Sequence, residues 1–355
     1  MVPLDRIIDR AVRGERISEA EAVALMESHE LLELGRAADA VRERKVPGDA
    51  VTFVVDRNIN YTNICITGCD FCAFHRRQGA EGAYLLDRDE IFAKIEETIE
   101  LGGTGIMMQG GLHPRLDIDY YCDLLAAIKE RYQIHVHSFS PPEVSHIARR
   151  SRLPLDETLV RLREAGLDSL PGGGAEILVD RVRAEVSPKK IGADEWLAVM
   201  EAAHQCGLRS TATMMFGSVE TRAERIEHMR RVRELQDRTG GFTAFIPWSF
   251  QPANTPMEAT ATASGLDYLT TLAVSRVYLD NVDNIQASWV TQGLKVAQVA
   301  LSFGANDLGS TMIEENVVAA AGVTYRISRD ELVRAIEAAG KRAVQRRHDY
   351  SLAAS

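Results

Sequence analysis

Positive charge is the minority here: 41 lysines and arginines face 51 aspartates and glutamates, for a formal net charge of -10 over 355 residues. That balance argues against a protein that grips a nucleic acid backbone, because such binding needs clustered lysine and arginine. Long apolar runs are missing as well. No stretch approaches the length needed to cross a bilayer, and the start, "MVPLDRIIDRAVRGERISEAEAVALM", mixes both charge signs with no apolar block of the secretory kind. The expectation is a cytoplasmic protein that meets neither membrane nor nucleic acid. The basic run "KRAVQRRH" (341–348) reads as the solvated, dipole-complementing end of a last helix. Cysteine is scarce, with five in the chain, too few for a disulfide framework, and a reducing compartment would not sustain one.

Three of those five fall within one short stretch, "NICITGCDFCAFHR", as Cys65, Cys69 and Cys72. Cys122 and Cys206 lie in helical patterns and read as small buried apolar residues.

From residue 50 onward the chain keeps a regular beat, a short β-rich run followed by a longer amphipathic one. "VTFVVD" precedes "DEIFAKIEETIELG", "GIMMQGG" precedes "DYYCDLLAAIKERY", and "IHVHSFS" precedes "LDETLVRLREAG". The beat continues through "LDSLPGGG", "RSTATMMFG", "FTAFIPWSF" and "NIQASWV", and ends with "NDLGST" ahead of a final helical segment. About eight strand-then-helix units result, the number that closes a parallel barrel. The expected fold is therefore an α/β protein of the (β/α)8, TIM-barrel type. Residues 1–48 form a helical extension, in which Ser18 and Glu21 make a capping box, and residues 49–355 form the barrel with its C-terminal helices.

In such a barrel the chemistry gathers on the rim where the strands end. The segments after the successive strands are "NYTNICITGCDFC", "QGGLHP", "HSFSPPE", "PGGGAE", "FGSVET", "SFQPANT" and "TQG", rich in glycine and polar side chains. Soft thiolates at Cys-x3-Cys-x2-Cys spacing select zinc, copper(I) or an iron-sulfur cluster. Zinc would want a fourth ligand, which His75 offers, but no second ligand arm appears. A 4Fe-4S cluster held by three thiolates keeps one iron open to a substrate.

The motif Cys65-x3-Cys69-x-Phe71-Cys72 resembles the signature of the radical S-adenosylmethionine (SAM) superfamily. The blocks "SLPGGGAEIL", "SPKK", "IPWSFQPANT", "NIQASWV" and "SFGANDLGSTMIEENVVAAAG" extend the resemblance over roughly residues 50 to 345, to the branch of that superfamily that serves menaquinone biosynthesis. The resemblance implies a radical SAM barrel with a 4Fe-4S cluster on Cys65, Cys69 and Cys72, whose open iron is chelated by SAM. It also implies an electron donor such as a flavodoxin or ferredoxin. Phe71 would pack near the adenine. Gly110 and Gly111 would let backbone groups approach SAM, Glu176 would accept from ribose hydroxyls, and Arg181 or Arg183 would pair with the carboxylate. Ser138 and Ser140 are further candidates.

The implied reaction is a cyclisation of dehypoxanthine futalosine, in which the 5'-deoxyadenosyl radical takes the ribose C4' hydrogen and the carbon radical attacks the benzoate ring. The alternatives are a sister synthase, in which the radical adds to an enolpyruvyl double bond, and a zinc-stabilised binding module. Candidate bases for the closing deprotonation are His113, His137, Glu220 and Asp307. Asn63, Ser249, Gln251, Asn254, Gln286, Ser288 and Asn306 join His113, His137 and Asp307 as candidate substrate contacts. Trp248 and Trp289 read as core packing at strand ends.

Overall fold

A computed structural model describes residues 3–323 and 325–353. The strands are β1 (Ala50–Val54), β2 (Asp56–Ile59), β3 (Gly105–Met108), β4 (His135–Ser138), β5 (Ser169–Leu170), β6 (Arg209–Phe216), β7 (Phe242–Ser249), β8 (Asn284–Ile285), β9 (Asp307–Ser310) and β10 (Arg342–Gln345). Strands β2 to β8 pair in chain order, every pair parallel, with helices between them. A right-handed strand-helix-strand repeat curls such a sheet. Its two ends are joined: β1 runs into β2 across Val55, β9 pairs with β1 at Thr52↔Asp307 and Val54↔Ser310, and a parallel bridge Gln286↔Asp307 ties β9 to the β8 side. The eight positions expected from the sequence are filled, and the rim segments follow the strand ends as the pattern requires.

The N-terminal helices Leu4–Arg13, Glu19–Glu27 and Leu31–Lys45 form where expected, with the Ser18–Glu21 capping box in place. They dock on one side of the ring. Ile7, Leu25 and Val41 share a core cluster with Phe242, Tyr268 and Leu272, while Arg16 bridges Asp237 (2.7 Å) and Asp280 (2.9 Å). A second core, around Ile106, Leu125, Val136 and Leu170, lies under the opposite helices.

One expectation fails at the C-terminus. The run "KRAVQRRH" is not the end of a helix. The last helix stops at Ala338, Gly340 turns the chain at φ +72°, and β10 pairs parallel with β1 from Ala50↔Arg342 to Phe53↔Gln345. Arg346 is then buried, donating to Asp307 through Nε (2.5 Å) and Nη2 (3.0 Å), with its guanidinium 3.9 Å from the Tyr350 ring centre. A carboxylate waiting inside the ring outweighs the propensity of a basic run for solvent, since two buried charges held by paired hydrogen bonds satisfy each other. Trp289 also differs: it opens the helix Trp289–Ala300 rather than ending a strand, and its Nε1 donates to the Ser310 carbonyl (2.9 Å).

Candidate active site

The loop after β2 carries the three cysteines and is folded on itself. Thr62 bridges Leu85, Ile64 bridges Arg76, and Asn63 both donates to the Gly82 carbonyl (2.8 Å) and accepts from the Tyr84 amide (2.9 Å). Asn63 therefore shapes the loop. Within it the Cys65 Sγ lies 3.0 Å from the Thr67 hydroxyl, and the Cys69 thiol points at the same oxygen at 3.6 Å. Burial pushes the Cys69 thiol above its ordinary value, partly opposed by Lys190. His75 turns its Nδ1 to the Cys72 carbonyl (2.9 Å).

The loop is seated on the "QGGLHP" segment, and the two glycines there are sterically required. A Cβ on Gly110 would lie 2.6 Å from the Tyr61 ring, and one on Gly111 would lie 2.3 Å from the Ile64 carbonyl and 2.9 Å from the Cys65 Cβ. Glu143, fully buried, pins the segment: its carboxylate accepts from the Gly110 amide (2.9 Å), the Tyr61 hydroxyl (2.8 Å), and the Ser140 amide (2.8 Å) and hydroxyl (2.6 Å). Burial raises its carboxyl against those four donors. The sequence shows Ser140 and Glu143 at capping-box spacing, which marks a helix start but not the reach back to Gly110.

Two cavities meet behind this loop. The first is lined by Cys65, Cys69, Cys72, Phe71, Gly110, Gly111 and Lys190, among others. The second is the bore of the ring, lined by Asp56, His137, Thr211, Gln286, Ser288 and Glu315 and floored by Arg346, His348 and Tyr350. Gln109, Gly173, Gly174, Glu176, Trp248 and Val317 line both. A ligand over the cysteines thus lies against the mouth of the bore.

Of the residues singled out from the sequence, Asn63, Cys65, Cys69, Cys72, Phe71, His75, Gly110, Gly111, Ser140, Glu176 and Trp248 are brought together. Glu176 takes a left-handed backbone (φ +42°), a strained conformation for a non-glycine residue. Its carboxylate holds Lys190 (3.0 Å) and Arg183 (3.4 Å). Arg181 is not in the site. It is half exposed and engages Glu224 (2.6 Å) and Glu185 (3.3 Å), because the short helix Asp180–Val186 turns its side chain outward. Arg183 is inside but committed to the carbonyls of Ala175 (2.6 Å), Gly174 (3.2 Å) and Ile191 (2.6 Å).

The cation that does line the cavity is Lys190, absent from the sequence candidates although it sits in "SPKK". Its Nζ lies 4.9 Å from the Phe71 ring centre. Burial works against its charge, but Glu176 and Cys69 outweigh that and raise the ammonium above ordinary lysine.

Among the other candidates, Ser138 is buried and donates to the Met108 carbonyl (2.9 Å). His113 is buried and accepts from the Arg115 amide (3.2 Å). Glu220 caps Gly217 (2.6 Å) and pairs with Arg225 (2.9 Å), and Asp307 belongs to Arg346. None of these four lines either cavity. His137 does, as do Gln286, Ser288 and Trp248.

A closed parallel β/α ring, with a three-cysteine loop after β2 opening onto the bore, defines the radical SAM class. Residues 59–232 match the radical SAM superfamily and residues 239–354 match the CofH/MqnC C-terminal region. The chain is 50% identical over 350 residues to the cyclic dehypoxanthine futalosine synthase of Halalkalibacterium halodurans, covering 98% of this chain and 95% of that one. It is 46% identical over 351 residues to the synthase of the same name from Streptomyces coelicolor, covering 98% and 88%. The crystal structure of methylornithine synthase (PylB) superposes with a TM-score of 0.74 at 20% identity, over 95% of this chain and 97% of that one, which shows the shared fold. The chain belongs to the CofH/MqnC family of radical SAM proteins.

Proposed function

We propose that this chain converts dehypoxanthine futalosine to cyclic dehypoxanthine futalosine in menaquinone biosynthesis. The observation that carries the reading is the shared wall between the cysteine cavity and the bore; full-length identity to synthases of that name selects the reaction within the class. Three thiols on one loop suit a 4Fe-4S cluster with an open iron. When bound, the cluster supplies the electron that splits SAM into methionine and a 5'-deoxyadenosyl radical, with a flavodoxin or ferredoxin as the source.

The chain's own groups hold the reactants. Lys190 pairs with the methionyl carboxylate of SAM, the backbone at Gly110 and Gly111 meets its amino group, Glu176 accepts from the ribose hydroxyls and Phe71 packs on the adenine. The bore seats the substrate so that the ribose C4' hydrogen faces the shared wall. Gln286 and Ser288 offer polar contacts and Trp248 an aromatic face. A primary alkyl radical takes almost any nearby hydrogen, so the orientation set by these contacts decides the outcome. No helix among the described residues is long and apolar enough to cross a membrane, and we place the enzyme in the cytoplasm.

Anaerobic turnover with dehypoxanthine futalosine, SAM and dithionite tests the reading. The expected result is free 5'-deoxyadenosine together with a product two hydrogens lighter than the substrate. A product that retains the adenosyl group would assign the sister synthase reaction instead.

A further inference from the structure

The proposed cyclisation ends with a proton to remove. Once the ribose carbon has bonded to the benzoate ring, the attacked ring carbon carries a hydrogen that must leave as a proton before aromaticity returns. The bore is closed below by Arg346, His348 and Tyr350. A base lining it needs a way to pass that proton on.

Strand β4 places His135 and His137 two residues apart, and so on the same face of the sheet. Between them, on β5, stands Ser169, paired with His137 in the ladder. The His137 Nδ1 lies 2.7 Å from the Ser169 Oγ, and the same oxygen lies 2.7 Å from the His135 Nε2. His137 is buried and lines the bore, with Nε2 the ring nitrogen left for a ligand; Ser169 is buried behind it; His135 is half-buried.

We infer that His137, Ser169 and His135 form a proton wire from the bore to the floor of the ring, with His137 as the base of the closing step. The inference rests on the cyclase reading.

In the step, the ring C–H bond breaks, its proton goes to the His137 Nε2 and its electron pair joins the ring. The resulting radical anion gives one electron to an acceptor of the iron-sulfur or flavin class. The His137 Nδ1 proton passes to the Ser169 oxygen, the Ser169 proton passes to the His135 Nε2, and His135 releases its Nδ1 proton to water.

The surroundings keep the wire neutral at rest. His137 faces His348, His135 and Arg346, and burial with those three neighbours pushes it well below ordinary histidine. His135 is lowered to about 4 by burial and by His348, opposed by Asp168 and Asp349 and reinforced by Lys129. His348 stacks on His135 at 5.2 Å between ring centres and 10° between planes, and lies 5.2 Å from His137. Its own Nε2 is 3.1 Å from the Asp56 Oδ2 without hydrogen-bond alignment.

Ser169→Ala cuts the wire while leaving every bore-lining group in place. Product formed per 5'-deoxyadenosine falls by at least about tenfold in S169A and recovers in Ser169→Thr, which keeps the hydroxyl. In His137→Ala, added imidazole raises that same ratio. In protein without cofactors, labelled-histidine nitrogen spectra show both His135 and His137 neutral at neutral pH and both displaced by S169A, which also reports that the variant is folded. A wild-type ratio in S169A, or no effect of imidazole on H137A, overturns the wire alone. A wild-type enzyme that makes no cyclic product overturns the cyclase reading and the wire with it.

Discussion

At the scale of single residues, the cysteine loop depends on atoms that are not cysteine. Gly111→Ala drives a methyl group into the Ile64 carbonyl and the Cys65 Cβ, at 2.3 and 2.9 Å. The expected result is a loss of about 1–3 kcal/mol in stability, typical of overpacking, together with reduced iron per chain after reconstitution, read by thermal melting and metal analysis. Lys190→Met removes the cation assigned to the SAM carboxylate. A charge-assisted hydrogen bond contributes about 1.5–3 kcal/mol, so SAM binding should weaken by about tenfold or more while the cluster content stays near that of the wild type. Retained affinity would remove Lys190 from the site. The cysteines were legible in the sequence because their spacing is local. Glu143 and Lys190 were not, because each reaches its partners through the fold: Glu143 meets Gly110 across 33 positions, and Lys190 meets Phe71 from a different rim segment. Arg181 misled for a related reason, since a charged residue near a glycine-rich turn does not declare which side of its helix it takes.

At the scale of elements, β10 stands out. Its sequence is basic and lacks a long apolar alternation, so nothing local announces a strand; the pairing with β1 and the buried Asp307 decide it. Arg346→Ala should cost about 3–5 kcal/mol, because it leaves a buried carboxylate that Thr52 and the Gly309 amide satisfy only in part. The check is a denaturant midpoint. A shift no larger than that of an exposed substitution such as Arg347→Ala would contradict the burial. The last three strands of the repeat, "FTAFIPWSF", "NIQASWV" and "NDLGST", were the least secure in the sequence because such short apolar runs can be read either way; β8 is two residues long and hands over to a helix at Trp289. The main strand-helix beat was readable, because each longer strand carries its own period, but the helix Pro141–Ser151 was passed over as part of a rim segment.

At the scale of the whole molecule, the ring gathers histidines that must stay neutral. His135 and His204 are lowered to about 4, and His228 to about 3, burial being the first cause in each. An unfolded chain protonates these groups below their ordinary value of 6.5. Stability is therefore complete above that pH and is lost as pH falls from 6.5 towards 4. Melting temperatures across that window test this, and an unchanged midpoint would contradict the burial of these rings. The two cavities with one common wall also exist only at this scale, assembled from residues between Val54 and Tyr350 that no window of sequence contains. The most direct measurement is the electron paramagnetic resonance spectrum of the anaerobically reconstituted, reduced protein with and without SAM. The account predicts a 4Fe-4S signal that changes when SAM is added and is lost in Cys69→Ala. A protein without iron, or a signal indifferent to SAM, would contradict it.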